Sequence, residues 1–191
     1  FSQAKEKISG FIGKLTRLER SKPLPGRRYD VVLSPHLSGL LAHESFGHGM
    51  EADTMMKGRA LASAWKGTKA GNEEINIVDD PAMDGCHGTL YFDQDGEVAH
   101  KTYLVKDGII HDPIADLYAR NKEGLPKSGN GRMESYDHKH YTRMTNTYFE
   151  SGSHDVSELF SAVEDGLYIT ESNVGMEDPK GWGVQIQNCF A

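Results

Sequence analysis

Two histidines and a glutamate form the segment of this sequence with the clearest capacity for chemistry. His43 and His48 lie five positions apart, and Glu44 directly follows the first of them. Imidazole nitrogens bind zinc, and a carboxylate beside the metal can take a proton from a metal-bound water and pass it to a leaving amine. The segment is therefore a candidate zinc centre, with His43 and His48 as ligands and Glu44 as the catalytic base.

The spacing of the histidines needs a departure from regular helical geometry. Zinc peptidases commonly space them by four, which places both on one face. At a spacing of five, an ideal α-helix sets them about 140° apart around its axis and about 7.5 Å apart along it. A π-bulge or a local unwinding would repair this, and Gly47 and Gly49 permit such a distortion. The alternative is that the histidines only make polar contacts on a helix.

The elements that must position this segment are helices followed by a strand-rich region. Apolar residues at helical spacing predict an amphipathic helix over residues 2–20 whose apolar face packs into a core. Ser34 and Pro35 suit an N-cap and a first helical position, so we expect a helix from Pro35 to about Glu51. Residues 74–149 are predicted to be mostly strands. The sequence thus predicts an α+β fold, with N-terminal helices and a mostly antiparallel, strand-rich C-terminal domain.

One more helix and the last strands are predicted near the end of the chain. Asp155 and Glu158 have the spacing of a capping box, and Gly166 is expected to end the helix that follows. Residues 167–170 and 184–190 are predicted strands. Because the sequence begins at Phe1 and ends within a predicted strand, we interpret it as a fragment of a longer protein.

The composition favours a cytoplasmic protein. The 191 residues carry a formal net charge of −7 without a basic cluster, so we expect no direct nucleic-acid binding. Only two cysteines occur, Cys86 and Cys189, which argues against a disulfide-built secreted domain. No apolar stretch approaches the about 20 residues of a membrane span, so no membrane association is expected.

A second group of polar residues is a candidate substrate-binding surface. Residues 143–149 alternate as in a strand, and a peptidase often holds its substrate as a strand added to a sheet edge. An interior strand explains the alternation equally well. The two arginines are candidates for a carboxylate anchor or for structural ion pairs, and the two histidines for a polar patch or a metal site. The candidates are Arg132, His138, His140, Arg143, Thr145, Asn146 and Thr147.

Several blocks of sequence resemble the TldD/PmbA metallopeptidases. They are H-E-S-F-G-H-G-M-E-A-D at residues 43–53, the segments 88–93 and 103–109, G-N-G-R-M-E-S-Y at 129–136, and R-M-T-N-T-Y at 143–148. Together they extend over about residues 30–175. The chain resembles the TldD side of the family, because the PmbA-type partner lacks the HExxxH motif.

The resemblance implies a zinc peptidase that acts on peptides or unfolded segments inside a dimer, either a homodimer or a heterodimer with a PmbA-type paralogue. The motif histidines would be the first two zinc ligands, and Glu44 the general base. The family's third ligand is a cysteine in a glycine-rich stretch, which we expect beyond Ala191. Residues 1–26 would be a helix and linker from a preceding domain, and residues 27–191 a C-terminal peptidase domain truncated at its C-terminus.

Two further expectations follow. Two histidines alone bind zinc weakly, so this chain by itself is expected to be metal-poor and inactive. The family's older name, gyrase modulator, leaves open a non-catalytic module that binds a protein partner. The acidic charge argues against contact with DNA but not against contact with protein.

Overall fold

The computed structural model describes residues 2–172 and 174–187 and contains six α-helices in that part of the chain. They are α1 (Ser2–Glu19), α2 (Pro35–Leu41), α3 (Ala52–Met56), α4 (Ala62–Trp65), α5 (Leu117–Glu123) and α6 (Val156–Ser161). A π-helical turn (Ala42–Gly47) and a 3₁₀ turn (His48–Met50) continue directly from α2. None of the helices in the described ranges has the length and apolar character needed to cross a bilayer.

The strands pair mostly antiparallel. They are β1 (Asp30–Leu33), β2 (Ile77–Asp79), β3 (Thr102–Lys106), β4 (Ile109–Ile110), β5 (Gly131–Arg132), β6 (Tyr141–Thr142), β7 (Thr147–Phe149), β8 (Gly166–Ile169), β9 (Val174–Asp178) and β10 (Gly183–Gln187). An antiparallel sheet has the order β4-β3-β2-β7, and β5–β6 and β9–β10 are antiparallel pairs. Only β1–β8 is parallel among the pairs described. The predicted α+β fold with mostly antiparallel strands is confirmed.

The helical segment that carries His43, Glu44 and His48 packs into the main hydrophobic core. Ala42 and Met50, from its π and 3₁₀ turns, are buried in one cluster with Ile77, Leu104 and Val105 of the four-stranded sheet. Burial of such side chains contributes about 1.5–3 kcal/mol for each large apolar group. The core therefore holds the backbone of the histidine segment against the sheet.

The histidine helix begins where the sequence predicts and ends slightly earlier. Ser34 Oγ accepts a hydrogen bond from the Leu37 backbone N–H at 3.3 Å, which is the predicted N-cap. Glu51 already has an extended backbone, with φ −73° and ψ 116°, so the helical turns end at Met50.

Helix α1 is confirmed, but the prediction that its apolar face packs into a core is wrong for the described part of the chain. The side chains of that face are between 43% and 62% exposed: Ile8, Phe11, Ile12, Leu15 and Leu18. Helical periodicity places these residues on one face but does not determine what covers that face.

The prediction that Gly166 ends α6 is also wrong. Helix α6 ends at Ser161, and Gly166 begins β8. A Cβ at Gly166 would lie 2.4 Å from the carbonyl oxygen of Asp30, so glycine permits the close pairing of β1 with β8. The capping box of α6 is confirmed, since the Asp155 N–H donates to the Glu158 carboxylate at 2.8 Å. Of the last predicted strand, 184–187 belong to β10, while 188–190, with Cys189, lie outside the described residues.

Candidate metal centre

The π-helical turn brings His43 and His48 together. The backbone N–H of His48 donates to the carbonyl oxygen of His43, which is the five-residue hydrogen bond that defines a π turn. The two imidazole rings have their centroids 4.9 Å apart, with their planes at 85°. The local distortion predicted from the spacing is thus confirmed, and it places both rings at one side of the helix.

Small residues allow the surroundings to close on this turn. A Cβ on Gly47 would lie 1.8 Å from Met144 Sδ, and a Cβ on Gly49 would lie 3.4 Å from Trp182 Nε1. The indole N–H of Trp182 donates to the carbonyl oxygen of Ser45 at 2.9 Å, inside the π turn. Tertiary contacts therefore support a helical geometry that is rare in isolation.

A buried carboxylate lies behind His48. The Glu51 side chain is 5% exposed, and its Oε1 is 3.5 Å from His48 Nδ1. Its Oε2 accepts a hydrogen bond from Arg143 Nη1 at 3.3 Å. Oε1 has no hydrogen-bond partner among the described residues, so the His48 ring is the group placed to satisfy it. A histidine held through Nδ1 presents Nε2 as its metal-binding atom.

The two histidines have opposite pKa shifts. The carboxylate of Glu51 raises the pKa of His48 above the usual 6.5. Loss of water around part of the ring, and then the nearby charge of His48, lower the pKa of His43, although that residue as a whole is exposed. His43 is therefore the imidazole more readily available in its neutral, metal-binding form.

Glu44 and Glu177 lie next to the histidines. One donor atom each from Glu44, His48 and Glu177 lies within 4.8 Å of the others, and Glu177 is exposed. His43 is not part of that group, but its ring adjoins that of His48. Two imidazoles next to carboxylates form a donor set suited to zinc. The unsatisfied Glu51 oxygen behind His48 is placed to orient that ring toward a metal ion. The residues present therefore fit a zinc ion.

The side chains of residues 145–147, which were predicted to contact substrate, instead take part in a hydrogen-bond network centred on the buried Asp79. Asp79 is 1% exposed and accepts from the Thr145 N–H at 2.9 Å and from the Thr145 and Thr147 hydroxyls at 2.7 Å each. Asn130 Nδ2 donates to the same carboxylate at 2.8 Å, and Asn146 donates to the carbonyl oxygen of Asp80 at 2.9 Å. These side chains therefore hold the sheet edge together.

The other candidate residues are distributed over two regions. Arg143 joins the centre indirectly, through its bond to Glu51. His140 Nδ1 lies 2.6 Å from Asp95 Oδ1 beside a cavity of about 580 Å³. His138 lies 3.2 Å from Glu134, and Arg132 is part of the β5–β6 pair. Within the described ranges, none of Arg132, His138 and His140 belongs to the group around His48.

Four residues that support the centre or the neighbouring sheet edge were not predicted from the sequence to do so: Glu51, Asp79, Glu177 and Trp182. Glu51 had a local signal, because it follows His48 by three positions and such residues are neighbours on a helical surface. Asp79 also had one, since it directly follows the apolar Ile77 and Val78 in the region predicted to be rich in strands. Glu177 and Trp182 had none, because they reach the centre only through the fold.

Sequence comparison finds a matching family. Residues 25–187 match the model of the PmbA/TldA metallopeptidase C-terminal domain. A protein from Saccharolobus solfataricus named zinc metalloprotease TldD homolog is 34% identical over 164 residues. That match covers 85% of this chain and 36% of the relative, so the chain spans about a third of the length of the protein it resembles.

Solved structures share the fold. A Thermotoga maritima protein proposed to be a modulator of a DNA gyrase superposes with a TM-score of 0.69 at 24% identity, over 81% of this chain and 34% of its own. TldE from Thermococcus kodakarensis superposes with a TM-score of 0.64 at 17% identity, over 79% of this chain and 37% of its own. At these identities the likeness establishes the fold.

Proposed function

The chain belongs to the family of the PmbA/TldA metallopeptidase C-terminal domain, and from that premise we propose that the protein is a zinc-dependent peptidase of peptides or unfolded polypeptide segments. The observation that carries this proposal is the π turn that places His43 and His48 side by side, with Glu44 next to them. A helix without this turn would direct the two rings apart.

Each residue of the centre has a distinct role in the proposal. His43 and His48 would hold the zinc ion, and Glu51 orients His48 from behind. When bound, zinc would polarise the scissile carbonyl and lower the pKa of a water molecule. Glu44 accepts the proton of the attacking water and transfers it to the leaving amine. A third ligand is proposed to be a cysteine beyond Ala191, as in the family this chain resembles.

The substrate is proposed to bind in an extended conformation along β7. Strand β7 is at the edge of the four-stranded sheet in the described part of the chain, and it lies against the π turn. An added strand would use backbone hydrogen bonds, which need little side-chain specificity. The hydroxyls of Thr145 and Thr147 already bond to Asp79, so the contacts proposed for the substrate are those of the β7 backbone.

The assembly proposed is a dimer in the cytoplasm. A heterodimer with a PmbA-type paralogue, which the family resemblance implies, is one form, and a homodimer is the other. The low cysteine count supports the reducing compartment.

The test is a Glu44→Gln variant of the whole protein. The variant keeps the size of the side chain but cannot accept the proton, so we expect cleavage of an unstructured fluorogenic peptide to fall at least about 100-fold. Zinc content and melting temperature are expected to stay as in the wild type. Glu134→Gln is the matched control, because that carboxylate is 84% exposed and pairs with a different histidine.

Retained cleavage in the Glu44→Gln variant would overturn the proposal. The non-catalytic binding module would instead be supported by a protein without peptidase activity that captures a partner. That capture should be the same in wild type and in the Glu44 variant, and the same with and without a chelator.

A further inference from the structure

The β9–β10 hairpin is fixed over the π turn by several contacts. The Trp182 N–H donates to the carbonyl oxygen of Ser45, and its ring lies 5.6 Å from that of Phe46 and 5.7 Å from that of Trp65. The N–H of Leu61 donates to the carbonyl oxygen of Pro179 at the hairpin turn at 3.0 Å. The hairpin is thus held by both ends of its turn, residues 179–182.

A glycine brings β9 close to the catalytic glutamate. A Cβ on Gly175 would lie 3.0 Å from Glu44 Cγ, so the strand passes against this side chain. Residues two apart on a strand face the same side, and Glu177 accordingly points where Gly175 does. Its carboxylate lies within 4.8 Å of donor atoms of both Glu44 and His48.

The charge of Glu177 faces the imidazole of His48 rather than a lysine or an arginine of the described residues. Glu177 is exposed and forms no ion pair with a lysine or arginine in the ranges that the structure describes. Glu51, in contrast, is buried and bonded to Arg143. An exposed carboxylate at the rim of a peptidase centre, held in place by a docked hairpin, is placed to attract a positive group on the substrate.

We propose that Glu177 selects peptides with an ammonium group next to the bond to be cleaved, an inference that rests on the peptidase function proposed above. Two groups have this chemistry: the α-ammonium of a free N-terminus, separated from the first carbonyl only by the α-carbon, and a lysine side chain near the cleaved bond. Charge-assisted hydrogen bonds to a carboxylate are stronger than neutral ones, so either group gains affinity from Glu177.

The test compares matched peptides in the whole protein. One pair has a free or an acetylated N-terminus, and the other has lysine or norleucine beside the cleaved bond. In the Glu177→Gln variant, the ratio of kcat/KM between the charged and the neutral member of a pair is expected to fall about 3- to 10-fold. The pair that responds identifies the source of the ammonium group. Glu164→Gln, at an exposed carboxylate on the α6–β8 connection, is the matched control and should leave both ratios unchanged.

A binding measurement separates this inference from the peptidase function. With Glu44→Gln as background, the dissociation constants of the same peptides are measured by fluorescence anisotropy with and without Glu177→Gln. Weaker binding of only the charged peptide supports the inference even where hydrolysis is absent. Equal ratios in wild type and variant overturn it, and so does a loss of zinc on Glu177→Gln, which would make Glu177 a metal ligand.

Discussion

Replacing Glu51 with glutamine would remove a buried negative charge beside His48 and keep the size of the side chain. The carboxylate is 5% exposed and has one oxygen 3.5 Å from His48 Nδ1 and the other 3.3 Å from Arg143 Nη1. The variant therefore weakens the orientation of the imidazole without opening a cavity.

The expected loss is larger for metal binding than for folding. Removing a carboxylate that orients a metal-binding histidine costs about 10- to 100-fold in metal affinity. Because 3.5 Å is longer than a hydrogen bond, we expect the lower part of that range, about 10- to 30-fold, or about 1.4 to 2 kcal/mol. The Arg143 side chain is 45% exposed, so water replaces its lost partner and the free energy of unfolding should change by less than about 1 kcal/mol.

Competition with a chromogenic zinc chelator, performed on the whole protein, measures the affinity, and thermal melting monitored by circular dichroism measures the fold. Glu134→Gln is again the matched control, because Glu134 also faces a histidine but is 84% exposed. Wild-type zinc affinity in Glu51→Gln would refute the reasoning, as would a loss of affinity that only accompanies unfolding.

Three other predictions concern the same region. In the metal-free protein, ring-proton NMR should show His48 titrating above pH 6.5 and His43 below it. Protonated His48 then stabilises the fold below pH 6.5, and this effect is lost as the pH rises through its raised pKa. Neutral His43 stabilises the fold above pH 6.5, and this effect is lost as the pH falls through its lowered pKa. Asp79→Asn should lower the free energy of unfolding by about 2–4 kcal/mol in chemical denaturation, because its amide group meets hydrogen-bond donors, whereas the exposed Asp137→Asn should be neutral. Gly175→Ala should reduce peptide cleavage about 3- to 10-fold at unchanged zinc content, since the new Cβ would lie 3.0 Å from the Glu44 carboxylate, the proposed base; unaltered cleavage would contradict that role or that contact.

The local elements of the candidate site could be predicted from sequence because short-range geometry determines them. Ser34 and Pro35 predicted the start of the helix, and the spacing of His43 and His48 predicted a π-bulge or a local unwinding, of which the structure contains the π form. The hydrogen bond between residues five apart is local, and contacts of Met144 and Trp182 support the turn that it closes. The same reasoning could have found Glu51, which is three positions from His48 and needs only one turn to approach it.

What lies around the turn was decided by tertiary structure. The alternation at residues 145–147 suggested substrate contacts, but the two threonine side chains bond to Asp79, which lies 66 and 68 positions away along the chain. Helix α1 has a regular apolar face, yet no local pattern indicated that this face would be exposed. Trp182 and Glu177 reach the histidines because a hairpin far along the chain docks on the π turn. Contacts between distant segments depend on the packing of the whole core, so spacing along the chain determined the histidine pair, while only the folded arrangement determined which groups surround it.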